Sequence, residues 1–160
     1  MQIRNKARTT TRTLPNGTRV VMQAANDNIQ EWECQAAAVR AFKLLPGYGD
    51  EAAPGVTFTF AADFNAGRRS RQESVKAKAT GIKAGEEDLR FYGLGGRVLL
   101  IELKGPQTSI SADQRKRHAL HRHLGFQVEI VRFTTIEQGV EDVLRIVREW
   151  VEGGKENSLP

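Results

Sequence analysis

The chain has 160 residues, enough for one domain with its own core and too few for two comfortable ones. An apolar fraction of 39% and a charged fraction of 27% are those of an ordinary globular domain. The longest strongly apolar run, Val98-Leu99-Leu100-Ile101, excludes a membrane-spanning helix, which needs roughly 20 residues.

In chain order, residues 1–27 read as a flexible basic arm carrying Arg4, Lys6, Arg8, Arg12 and Arg19, with at most a short strand at Thr18–Met22. Asp27 or Asn28 is placed to cap a helix from about Ile29 to Leu45, on which Trp32, Gln35, Ala36, Val39 and Phe42 share a face. Pro46-Gly47-Tyr48-Gly49 stops it. Val56–Phe60 alternates apolar and polar residues, as a half-buried strand does, until Phe64-Asn65-Ala66-Gly67 breaks it. Ser70-Arg71-Gln72-Glu73 has the capping-box pattern and opens a short basic helix ending at Gly81.

Asp88–Tyr92 is predicted as a strand, Gly93–Gly96 as a tight turn and Arg97–Lys104 as a second strand. That second strand is apolar on both faces up to Glu102, the pattern of a strand central in a covered sheet. Ser111-Ala112-Asp113-Gln114 is another capping box, opening a helix to about Leu124, and Phe126–Phe133 is a further buried strand. Val140, Val143, Leu144, Val147 and Val151 form the stripe of a last helix, about Ile136–Val151, before a tail at 153–160 predicted to be disordered. The strand–helix–strand step from Arg97 to Phe133 implies a parallel pair with a right-handed crossover. The expected fold is therefore a mixed-sheet α/β domain over residues 28–152.

Glu102 and Lys104 stand two apart on a strand, so both side chains leave the same face of an otherwise apolar segment. Burying such charges is costly unless they satisfy each other or serve a ligand. A structural ion pair at a strand end is one account of them. The Gly93–Gly96 turn supplies another, because it folds Asp88 back towards Glu102 and Lys104. Two carboxylates are the oxygen donors of a hard cation such as Mg²⁺, and a lysine beside them neutralises charge on a reacting phosphate.

Asp88 followed by Glu102-Leu103-Lys104 resembles the PD-(D/E)xK nucleases, and the surrounding words resemble their VRR-NUC branch, the stand-alone phage type included. The likeness runs from about Ile29 to Phe133. It takes in Glu31-Trp32-Glu33-Cys34-Gln35, Asn65-Ala66-Gly67-Arg68-Arg69-Ser70, Gly81-Ile82-Lys83-Ala84-Gly85 and Ile101-Glu102-Leu103-Lys104, then Ser109, Ser111, Gln114 and Gly125-Phe126-Gln127-Val128. The resemblance implies a restriction-endonuclease-like fold, with Asp88, Glu102 and the Leu103 carbonyl as ligands of Mg²⁺ or Mn²⁺. It implies that Lys104 is the catalytic lysine and that Gln114 reaches back to the site. It also implies one more acid from the first helix, Glu31 or Glu33. Helical spacing favours Glu31, one turn before Gln35. Where the family has proline before the aspartate, this chain has Gly85-Glu86-Glu87, two added acids suited to a second cation or to local repulsion of DNA.

A net charge of +5 and a pI of 9.7 favour a polyanionic partner, and the resemblance makes it DNA. Asn65, Arg68, Arg69, Lys83, Ser111 and Arg115 are the expected contacts, with solvated basic faces as the competing account of the cations. His118 is expected to border the site, one turn after Gln114, and the three histidines of this helix lack the cysteine partners of a common zinc site. The activity implied is a structure-specific endonuclease acting on branched DNA as a homodimer. Against it stand a non-catalytic DNA-binding module on the same fold and a sequence-specific nuclease. The lone Cys34 and the absence of an export-type leader point to the cytoplasm, that of the host if the chain is phage-encoded.

Overall fold

The computed structural model describes residues 9–13, 19–23, 29–62 and 71–156. Strands β1 (Thr9–Thr13) and β2 (Arg19–Gln23) pair antiparallel as a two-stranded ribbon, where the sequence led us to expect one short strand at most. Helix α1 follows (Glu31–Phe42), then β3 (Phe58–Ala62), α2 (Arg71–Ala79) and β4 (Leu89–Gly93). A single 3₁₀ turn at Leu94–Gly96 leads into β5 (Arg97–Lys104), and α3 (Ala112–His123), β6 (Gln127–Arg132) and α4 (Ile136–Glu156) complete the order.

The main sheet runs β3-β4-β5-β6, with β3–β4 and β4–β5 antiparallel and β5–β6 parallel. It is the expected mixed sheet, with the Arg97–Lys104 strand inside it. Alternation along the strands gives the sheet two different faces. Phe58, Leu89, Phe91, Leu99, Ile101, Leu103 and Val131 join Cys34, Ala38 and Phe42 of α1 and Val143, Val147 and Trp150 of α4 in one apolar core. Leu100, Glu102 and Lys104 alternate with them and so leave the opposite face, where Gln114 and His118 of α3 meet Glu102. That opposite face carries the chemistry.

Three expectations shift. The buried stripe of α1 is Cys34, Ala38 and Phe42, whereas Trp32 is 64% exposed. The reason is close approach: a side chain at Gly139 of α4 would stand 2.5 Å from Cys34 Sγ, so only small residues of α1 fit there. The first long strand begins two residues late, at Phe58, because Thr57 and Phe58 N–H groups donate to Gly47 O at the turn after α1. Helix α4 does not fray at Gly153-Gly154 but continues to Glu156. Arg97 lies over the Trp150 ring at 4.8 Å, donates to Trp150 O at 2.5 Å and occupies the space that a side chain at Gly154 would need. Among the described residues, no helix is long and apolar enough to cross a membrane.

Candidate active site

The antiparallel register Leu89↔Ile101 sets Asp88 opposite Glu102, one step beyond the ladder. Asp88 Oδ2 accepts the Leu103 N–H at 2.7 Å, so the start of β4 is tied to the end of β5. The hairpin thus brings together the two acids that the sequence paired.

Glu102 is fully buried, and its two oxygens differ. Oε1 accepts from Lys104 Nζ at 2.7 Å and from Gln114 Nε2 at 2.5 Å. The Gln114 amide has no freedom to flip, because its Oε1 accepts the Ser111 N–H at 2.9 Å within the α3 capping box. Oε2 is buried and, among the described residues, accepts no hydrogen bond. Burial, then the Asp88 charge, pushes the Glu102 carboxyl up to about 7 against the opposing pull of Lys104. Burial pulls the Lys104 ammonium down, but its hydrogen bond to Glu102 and the charges of Glu102, Glu31 and Asp88 outweigh this and hold it above its ordinary value.

Glu31 reaches the same place from α1. Its Oε1 lies 3.5 Å from Lys104 Nζ, accepts the Gly105 N–H at 3.2 Å and takes the Thr108 hydroxyl. Glu33 is elsewhere: its Oε2 accepts the Gln30 N–H at 2.9 Å and closes the first turn of α1. Of the two acids the sequence left open, Glu31 is the one at the Glu102–Lys104 pair.

The two added acids both have partners. Glu86 is held by Arg90 Nη2 at 2.8 Å and by Arg117 Nε. Glu87 is buried and meets His121 Nδ1 at 2.9 and 3.0 Å. Glu86, Glu87 and His121 are the one trio among the described residues whose donor atoms all lie within 4.8 Å of one another. Asp88, Glu102 and Glu31 are spread more widely, around Lys104. Gly85, at φ +85, lets this loop touch α3: a side chain there would stand 2.6 Å from the Asp113 backbone.

The sequence placed His118 only at the border of the site, yet it sits inside. It is 1% exposed, with Nε2 at 3.5 Å from Glu102 Oε2 and 3.8 Å from Glu87 Oε1, and that nitrogen has no hydrogen-bond partner among the described residues. Burial, with help from Arg122, His121 and Lys104, lowers its pKa despite Glu87. The signal was its spacing of four from Gln114, which puts both on one side of α3.

Of the expected DNA contacts, Asn65, Arg68 and Arg69 lie outside the described residues. Lys83 is exposed on the loop before β4, and Ser111 has its hydroxyl on the Gln114 N–H. Arg115 is exposed and donates to Ile110 O at 2.7 Å. It lines an open cleft of ≈ 410 Å³ with Ser109, His118, Arg122, Ile130 and Arg132. Arg132 escaped the sequence reading, although it pairs in register with Lys104 across the parallel ladder.

No protein-family model matches the chain, and no curated protein matches it. A solved structure described as a VRR_NUC domain protein is similar, with a TM-score of 0.53 and 17% identity over 78% of this chain and 90% of that one. With its mixed four-stranded sheet between helices, this chain has the restriction-endonuclease-like α/β architecture and the fold of a VRR_NUC domain protein.

Proposed function

We propose that this protein is a metal-dependent endonuclease that hydrolyses DNA phosphodiester bonds at the Asp88–Glu102–Lys104 site. The observation that carries the reading is the orphaned Glu102 Oε2. A buried carboxylate oxygen without a donor is costly, and a divalent cation is the partner that a neighbouring acid, Asp88, and a backbone carbonyl at Leu103 fit. Asp88, Glu102, Leu103 and Glu31 are the residues to hold Mg²⁺ or Mn²⁺. Such a cation polarises a phosphoryl oxygen and acidifies water.

The chain's own groups supply the rest. Lys104, charged and fixed by Glu102 and Glu31, neutralises a developing phosphorane charge and orients the attacking water. Gln114 keeps the Glu102 carboxylate in one orientation, so no rotamer is reorganised during the reaction. The arginine-lined cleft beside His118 offers a track for the phosphates of a strand. The likeness in fold to a VRR_NUC domain protein supports the same reading.

The finer reading is a homodimer acting on branched DNA such as a four-way junction, whose two equivalent strands suit two sites related by a two-fold axis. The test is cleavage of linear, flapped and four-way DNA with Mg²⁺ or Mn²⁺, alongside sedimentation of the free protein. Lys104→Ala is expected to cut about 10²- to 10³-fold more slowly while binding DNA normally. Unaltered protein and Lys104→Ala that are equally inert and bind equally well would leave a DNA-binding module.

A further inference from the structure

The asymmetry of Glu102 leaves one oxygen for a cation, and that oxygen faces a nitrogen. Oε1 is taken by Lys104 and Gln114, while His118 Nε2 stands 3.5 Å from Oε2. Among the described residues, neither of these buried atoms has a hydrogen-bond partner. The spacing is too long for a charge-assisted hydrogen bond, which runs to about 2.9 Å. It is close to the separation of two donors on one ion: bonds of about 2.1 Å at angles between octahedral and tetrahedral set donors roughly 3.0–3.5 Å apart.

Among the described residues, no hydrogen bond occupies His118 Nε2. Glu87, the other acid near its Nε2, is already met by His121 Nδ1 at 2.9 Å. Its backbone is firmly placed, since α3 is anchored by its capping box, by Gln114 on Glu102 and by Arg117 on Glu86. We propose that His118 Nε2 is a direct ligand of the divalent cation held by Glu102 Oε2, making this a mixed nitrogen–oxygen site that prefers Mn²⁺ to Mg²⁺. Imidazole adds affinity for first-row transition ions, whereas Mg²⁺ favours an octahedron of oxygens and gives up its water reluctantly. The inference rests on the reading above in one respect, that a cation binds at Glu102.

The test needs no DNA. Mn²⁺ is added to the full chain and its nitrogen couplings are recorded by electron spin-echo modulation, while calorimetry gives Mn²⁺ and Mg²⁺ affinities. The unaltered protein is expected to show an imidazole nitrogen on Mn²⁺. His118→Ala is expected to lose that signal and to bind Mn²⁺ about tenfold or more weakly, with a much smaller change for Mg²⁺. His118→Gln, which preserves volume, gives the same comparison if the alanine variant does not fold.

Mn²⁺ that needs Glu102, by loss in Glu102→Gln, but shows no nitrogen coupling overturns the histidine ligand and leaves the nuclease reading standing. So does a coupling that persists in the His118 variants. Absence of Mn²⁺ binding, or binding indifferent to Glu102→Gln, overturns both.

Discussion

At the scale of single residues, position within one helical turn decides role. Glu31 and Glu33 are two apart on α1, yet one holds Lys104 and the loop after β5 while the other closes the helix's own first turn. Glu31→Gln is therefore expected to lower cleavage at least tenfold, and Glu33→Gln to cost only about 1 kcal/mol of stability with cleavage kept, as steady-state rates and urea melts on both variants can check. Glu102 gives a second forecast. Its carboxyl is raised from 4.5 to about 7 in the folded chain, so between those values the folded state holds more protons than the unfolded one. Its contribution to stability is present in acid and is lost as pH rises through about 7. Melting temperatures in chelator from pH 5 to 8 should fall more steeply for the unaltered protein than for Glu102→Gln, and parallel curves would refute this. The pairing of Asp88 with Glu102 was legible because the turn and the strand period fix it, whereas the reach of Gln114 was implied by the family resemblance, and helical spacing chose Glu31 from the two acids that the resemblance allowed. The fates of Glu86 and Glu87 were not, since their partners Arg117 and His121 come from a helix far along the chain.

At the scale of elements, the strands and helices of the domain were legible from alternation, apolar stripes and the Ser111 capping box, whereas the Ser70 capping pattern lies outside the described residues, and the packing faces were less legible. The face of α1 was misjudged through Trp32, its largest apolar residue. Hydrophobic pattern rewards bulk, but the contact with α4 selects for smallness: Cys34 and Ala38 face a helix that approaches closely at Gly139. Burial also pushes the Cys34 thiol up to about 11, so slow reaction with thiol reagents is expected in the native protein. Gly139→Ala would press a methyl group onto Cys34 Sγ and the Phe133 ring and is expected to cost about 1–3 kcal/mol in urea unfolding. Cys34→Ala in the same chain should recover part of that loss. Full additivity of the two changes would argue against the contact.

For the molecule as a whole, the fold sorts the basic residues of α3. Arg117 is neutralised by Glu86, whereas Arg115 and Arg122 line the cleft that Arg132 completes from the edge strand. Arg132 was invisible as a member because the parallel β5–β6 register, not proximity in the chain, brings it beside Lys104. Arg115→Ala with Arg132→Ala should weaken DNA binding and flatten the dependence of log K on log salt, by roughly one for each phosphate that is no longer neutralised. An unchanged slope would move the DNA to another surface. Finally, the strap of Arg97 lies across one of two tryptophans that make optical reporters of opposite kind. Trp150 is 5% exposed and Trp32 is 64% exposed. Iodide should quench the red-shifted emission of Trp32 and spare the blue-shifted emission of Trp150. One fluorescence titration thus separates events at the helix that carries Glu31 from melting of the interior.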